Sequence, residues 1–358
     1  MSKLVFVFVH PIHYNDYLFH KIYKEGIDIQ VFFTNKSLQN YPWKEKLNYP
    51  FPNRNCDYFL GIDWQLIKLA VFSRNTIFII AGWDTFFKIM LFLTLIIFRK
   101  KYVLFTDTIK INGSKNFLKK SVRSLLINTI LSNSYKNFTT GEIGVKTMNL
   151  VYNSSKTINF PFATDLNYFS STPDFSNFSK EKILFSSGRL LNSHKGYDIA
   201  IKALKNIKDK GYDFKYYLAG TGPDQKMLEE LIRKCGLQEQ VFLLGWQELE
   251  DIKELYAKSH IFLHPSHLDP FPNAILEAMA CGLIVVASDK AGSAVERITD
   301  NVSGYIFEDN SVTQLTEKII NVFESPKEKI LSISQEAKAV SKKWDVSYHI
   351  NIIKQTLA

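Results

Sequence analysis

HPSHLDPFPNAILEAMACGLIVVAS, residues 264–288, decides how the rest of the chain is read. It runs as the end of a strand, a loop punctuated by prolines, a helix opening near Asn273, a stop at Gly282 and a second apolar run, LIVVAS. Strand, helix and strand in that order make half of a parallel βαβ crossover. The first N–H groups of such a helix have no partner inside it, and the helix dipole places its positive end there, so the position suits an anion. Asp269 in the loop and Glu277 on the helix flank the same place. A carboxylate beside an anion repels it, so the two acids are read as acceptors for neutral hydroxyls, Glu277 for those of a ribose. The stretch therefore suggests a nucleoside diphosphate with a hydroxyl-rich group at each end.

Working outward, ILFSSGRLLNSHKGYDIAIKAL (183–204) reads as a strand, a turn at Gly188 and a helix from about Tyr197. Arg189 and Lys195 fall in the loop between them, at the carboxyl edge of a parallel sheet, where two cations neutralise a departing diphosphate. FKYYLAGTGPDQKMLEELI (214–232) is a further strand and helix joined through Gly220 and Gly222, which let backbone and ligand approach closely. VFLLGWQELEDIKELYAKSHIFLHPS (241–266) supplies one more strand, a loop carrying Gly245 and Trp246, a helix, and the strand that enters the opening stretch. Trp246 reads either as a pocket wall or as a core aromatic.

At 358 residues, 46% hydrophobic and 22% charged, the chain is long enough for two α/β domains, each with its own core. Three cysteines, Cys56, Cys235 and Cys281, give neither a disulfide framework nor zinc spacing, and a reducing compartment is the plain reading. The opening MSKLVFVFVHP has too short an apolar run for a signal peptide and fits a first buried strand. Charge is unevenly spread: residues 1–170 hold 21 Lys+Arg against 10 Asp+Glu, a net +11, while the remainder holds 23 against 25, a net −2. Such asymmetry points to a polyanionic partner or an anionic membrane surface. No nucleic-acid-binding fold is recognisable.

In the basic half, LVFVFV (4–9) and DIQVFFTN (28–35) read as parallel strands buried on both faces, with a helix over about 14–25 between them. His10 and His13 stand in the loop after the first strand, either as ligand contacts or as ordinary loop residues. Residues 40–64, rich in Pro, Asn and aromatics, read as an irregular insertion. TIFIIAGW (76–83) is a strand, and the apolar run from Ile89 to Phe98 is about half the roughly twenty residues a bilayer span needs, so it reads as a helix leading into strand YVLFTD, which ends at Asp107. SKNFLKKSVRSLLINTIL (114–131) puts Leu118, Val122, Leu125 and Leu126 on one helix face and Lys119, Lys120 and Arg123 on another. That face is either solvated or set against a membrane interface. The polar stretch around 160–180 reads as the linker.

An acidic residue, seven residues, then Glu-Ala-Met-Ala-x-Gly resembles the donor-site signature of retaining glycosyltransferases of the GT-B fold, family 4. The first acid there is usually Glu; here it is Asp269, one methylene shorter. The order GRL…KG, GTG, then the acidic pair matches that family over about 180–310, and the likeness over 1–160 is topological. The resemblance implies two Rossmann-like α/β domains facing across a cleft: an acceptor-binding domain over 1–165, a nucleotide-sugar domain over 180–340, and a helix within 341–358 returning to the first. It implies a donor site formed by Gly188, Arg189, Lys195, Gly220, Gly222, Trp246, Asp269, Phe271, Asn273, Ala274, Ile275 and Glu277. Arg189, Lys195 and Asp269 would act in catalysis, and His13 and Asp107 would orient the acceptor.

The implied reaction moves a hexose or N-acetylhexosamine from a UDP- or GDP-sugar to a glycan acceptor, polyprenyl-linked, in surface polysaccharide synthesis of the O-antigen or capsule type. No metal ion or other cofactor is called for, and the expected location is cytoplasmic, peripheral on the anionic membrane face. Two alternatives share the nucleotide cradle: a GT-B sugar-nucleotide epimerase, and a non-catalytic protein that binds nucleotide sugars.

Overall fold

The computed structural model describes residues 2–34, 49–107, 117–152 and 155–357, the side chains of 117–122 and 151 excepted. The chain forms two compact units, one of residues 1–163 with 346–358 and one of residues 164–345.

In the first unit the elements run β1 (Lys3–Phe8), α1 (His13–Lys24), β2 (Ile29–Phe33), β3 (Asn53–Asn55), α2 (Trp64–Phe72), β4 (Thr76–Ala81), α3 (Phe86–Ile97), β5 (Lys101–Thr106), α4 (Phe117–Asn133), β6 (Lys136–Thr139), α5 (Gly141–Tyr152) and β7 (Thr157–Asn159). The strands make one parallel sheet in the order β3-β2-β1-β4-β5-β6-β7. The apolar runs explain why both faces are covered. Leu4, Phe6, Phe8, Ile77 and Ile79 enter one core, while Val5, Val7, Phe78 and Ile80 enter another. Each run is therefore split residue by residue between two layers of helices, as the period of two of a strand requires.

Two expectations change here, those for the insertion and for α4, while the apolar run at 89–98 is a helix leading into a strand as read. Within the region read as an irregular insertion, residues 40–48 lie outside the description, but Asn53–Asn55 pair with β2 as an edge strand. Asp63 then starts α2 by accepting from the Leu66 N–H at 2.8 Å, and it holds Arg54 through two 2.7 Å bonds. The apolar α3 buries Phe87, Lys88, Leu91, Phe92 and Leu95 while Ile97 is exposed. It is a one-sided packing helix, and no described helix is long and apolar enough to cross a membrane. In α4 the buried line is Ile127, Ile130 and Leu131, whereas Leu125, expected on the apolar face, is 68% exposed. The side chains of Leu118, Lys119, Lys120 and Val122 lie outside the description.

The second unit runs β8 (Ile183–Ser187), α6 (Asn192–Lys195), α7 (Tyr197–Asp209), β9 (Lys215–Ala219), α8 (Gln225–Lys234), β10 (Val241–Gly245), α9 (Leu249–Lys258), β11 (Ile261–His264), α10 (Asn273–Cys281), β12 (Ile284–Ser288), α11 (Gly292–Arg297), β13 (Tyr305–Phe307), α12 (Val312–Glu324) and α13 (Lys327–Lys342). Its parallel sheet has the order β10-β9-β8-β11-β12-β13. The stretch read as a linker packs into this unit, because Phe169, Phe175 and Phe178 bury their rings in its cores. Polar composition concealed three spaced anchors.

A last helix, α14 (Val346–Thr356), belongs to the first unit. Val346, Ile350, Ile353 and Leu357 join the core of Leu4, Phe6 and Leu18. The Tyr348 hydroxyl donates to the Asn159 carbonyl at 3.1 Å, and His349 Nε2 donates to that of Pro161 at 2.8 Å.

Candidate functional site

Three loops nest at the carboxyl edge of the second sheet. The Gly188 N–H donates to the Ala219 carbonyl at 3.0 Å, and the Gly220 N–H to that of Gly245 at 2.7 Å. Gly222 lies against Leu190, whose carbonyl oxygen would be 2.3 Å from any Cβ there. Arg189 projects from this nest, exposed and without an ion-pair partner among the described residues. Lys195, expected in a loop, instead ends the single turn of α6, where Gly196 in the left-handed region (φ 61°) turns the chain into α7.

Across from that turn stands the loop between β11 and α10. Lys195 Nζ lies 2.5 Å from Asp269 Oδ2, and His264 Nε2 lies 3.0 Å from the same oxygen. Burial alone would raise the Asp269 carboxyl, but the His264 hydrogen bond and the Lys195 ammonium outweigh it and hold the group at about 2. Asp269 is thus an anion that only accepts, which makes Nε2 of His264 the protonated nitrogen. Burial lowers the pKa of His264, so the ring is neutral. Asp269 Oδ1 has no hydrogen-bond partner among the described residues. Two residues read as separate contacts, one for diphosphate and one for sugar, are therefore a pair, with a third member that the sequence reading passed over. His264 is the last residue of β11, and its place at a strand's carboxyl end was the available signal.

No side chain caps α10, which follows Pro272 directly. Asn273 is buried at the first turn, and neither polar atom of its side chain has a partner among the described residues. Ala274 is half-buried, and Ile275 sends its side chain into the core, leaving only its backbone for a ligand. Gly282, in the left-handed region (φ 80°), ends the helix where expected. Glu277 is buried, with Oε2 3.0 Å from the Tyr256 hydroxyl, which also lies 3.1 Å from the Ala274 carbonyl. Phe271 is buried too. The Arg297 guanidinium lies 4.5 Å from its ring centre and 4.7 Å from that of Trp344, so the phenyl holds the loop to the unit's frame. Trp246 is half-buried outside the core clusters, its Nε1 donating to Glu248 at 3.2 Å.

The first unit has a cavity of about 850 Å³ at the carboxyl ends of β1, β4 and β5. Asp107, His10, Trp83, Asp84 and Arg123 line it together with phenylalanines. Arg123 lies over the Trp83 ring at 4.7 Å, and the buried Lys88 donates to Asp84 at 2.7 Å. His13, expected like Asp107 to orient the acceptor, begins α1 with its ring centre 3.7 Å from that of Tyr14 and tilted by 49°; burial lowers it to about 4. Trp83 and Arg123 had drawn no site role from sequence.

Comparison with known proteins bears on the second unit above all. Residues 171–340 match the family described as Glycosyl transferases group 1. The gpi3 subunit of phosphatidylinositol N-acetylglucosaminyltransferase from Schizosaccharomyces pombe is 27% identical over 176 residues, covering 49% of this chain and 38% of that protein. The putative colanic acid biosynthesis glycosyltransferase WcaL of Escherichia coli is 25% identical over 174 residues, covering 47% and 42%. The chain thus spans about two fifths of the length of these relatives. In architecture the whole chain is similar to Anabaena Alr3699/HepE solved with UDP: TM-score 0.78, 20% identity, 99% of both chains covered. The same Anabaena protein has been solved with UDP-glucose. The match to the glycosyl transferases group 1 family thus lies in residues 171–340, within a chain whose two-unit fold is of the GT-B kind.

Proposed function

We propose that the protein is a retaining glycosyltransferase that moves a hexose or N-acetylhexosamine from a UDP- or GDP-sugar to a glycan acceptor. The observation that carries this reading is the open first turn of α10, its buried Asn273 unpartnered among the described residues, at the end of the same loop whose Asp269 pairs with Lys195. Free amides, Lys195 and the exposed Arg189 supply positive charge where the departing diphosphate becomes more negative, and no metal ion is required for that. The free oxygen of Asp269 accepts from a sugar hydroxyl, and Glu277 from the ribose. In a retaining transfer the acceptor oxygen bonds to the anomeric carbon on the face the diphosphate leaves, so the acceptor's proton passes to a phosphate oxygen and no dedicated base is needed. The Anabaena neighbour's complexes with UDP and UDP-glucose support the donor class.

The cavity of the first unit is proposed as the acceptor site, with Asp107 as a direct contact and His13 as a support behind α1's first turn. A lipid-linked glycan fits the charge there: residues 64–141 hold twelve Lys and Arg against only Asp84 and Asp107. The colanic acid role in the name of the E. coli relative supports surface polysaccharide synthesis. On this reading the protein lies on the cytoplasmic face of an anionic membrane, with α4 and its exposed Leu125 toward the lipid.

Nucleotide release from a panel of UDP- and GDP-sugars, with and without a polyprenyl-linked acceptor, tests the proposal. Arg189→Ala and Lys195→Ala are each expected to slow release by about 10²-fold. Unchanged turnover in both would overturn it, and release that ignores the acceptor would point to an epimerase.

A further inference from the structure

The Asp269 carboxylate is short, sits in a loop containing Pro265, Pro270 and Pro272, and shares one of its oxygens between two donors. The donors differ in kind. Lys195 is a point charge on a flexible stem, with 23% of its side chain exposed, and in the proposed transfer it must turn toward the diphosphate. His264 has no such freedom. Its backbone is paired with Ala287 in the middle of the sheet, its side chain is 4% exposed, and its ring stacks on Phe262 at 6.2 Å and 19°. When Lys195 swings to a ligand, the His264 N–H is the remaining hold on Asp269 Oδ2.

We infer that His264 is a positioning residue for Asp269: it fixes the short carboxylate so that Oδ2 stays with the protein and Oδ1 is presented to the donor sugar. This rests on the glycosyl-transfer reading above. Asp and Glu differ in reach by one methylene, and a rigid donor behind the shorter acid restores the orientation that a longer side chain would find for itself. A group locked on a strand end suits that task better than one on a loop.

The test uses the full chain and two readouts, UDP affinity by calorimetry and nucleotide release from the donor that the wild-type protein turns over fastest. His264→Leu removes the N–H, and a misplaced carboxylate is expected to lower kcat by about 10²-fold while UDP affinity stays within about twofold. His264→Gln carries an amide N–H at the distance of Nε2 and restores most of the turnover. His264→Asn carries it at the distance of Nδ1 and does not, so these two polar variants decide the matter if the leucine variant fails to fold. In an Asp269→Asn background, His264→Leu adds no further loss, because the two residues act through one carboxylate. Full turnover in His264→Leu, equal turnover in the Gln and Asn variants, additive losses, or UDP affinity falling in step with kcat would each overturn the inference. A wild-type protein that binds UDP but turns over no donor would instead sink the glycosyl-transfer reading beneath it.

Discussion

A methyl group on Gly220 would stand 1.9 Å from the Gly188 carbonyl oxygen, a backbone atom that cannot swing aside. Gly220 also holds φ 140°, which side chains rarely adopt. Gly220→Ala is therefore expected to cost about 2–3 kcal/mol, read as a lowered urea midpoint, and to loosen the nest beneath Arg189. His13 gives a second measurable effect. It protonates near 6.5 in the unfolded chain and, because of burial, near 4 in the folded one. Between those values the unfolded state binds the extra proton, so its contribution is complete above 6.5 and is lost as the medium is acidified toward 4. His13→Gln should flatten that part of the stability-versus-pH curve, measured by urea melts across the window. At this scale the charges of the donor site were legible as types and positions: Arg189, Lys195, Asp269 and Glu277 all stand at the second sheet's carboxyl edge or on α10. Their pairing was not, because Lys195 and Asp269 are 74 residues apart and only the parallel sheet brings them together.

The helix α10 separates what stabilises an element from what serves its ligand. An aspartate at its first position would favour the helix by about 0.3–1 kcal/mol through the dipole, yet it would repel a diphosphate seated on the same amides. Asn273→Asp is close in shape, so it should leave thermal stability equal or higher while weakening UDP binding by about tenfold or more, as calorimetry would show. Equal affinity would place the diphosphate elsewhere. Elements with a strong period were readable: the runs at 4–8 and 77–80 alternate between two cores as buried parallel strands do. Those without one were not. The edge strand Asn53–Asn55 has no apolar residue, the single turn Asn192–Lys195 is too short to show a period, and the three buried phenylalanines of 169–178 are diluted by serines.

Across the whole molecule the two-unit organisation followed from length, from the recurrence of strand and helix, and from the charge difference between the halves. The parting of the units at 163/164 and 345/346 depends on packing that composition does not display. The last helix supplies Val346, Ile350, Ile353 and Leu357 to the first unit's core. At about 1.5–3 kcal/mol for each fully buried side chain, an upper bound, their loss approaches the entire stability of a typical domain. A chain stopped after Asp345 should therefore show, by hydrogen exchange, a first unit stripped of protection beside a second unit that keeps it.

The return of α14 also sets the order of events on the ribosome. Strand β1 is made long before α14, and the apolar layer the two share stays open until the final turn of α14 has left the exit tunnel. The second unit can therefore close before the first, whose sheet must wait, with one side uncovered, for the codons of α14 to be read.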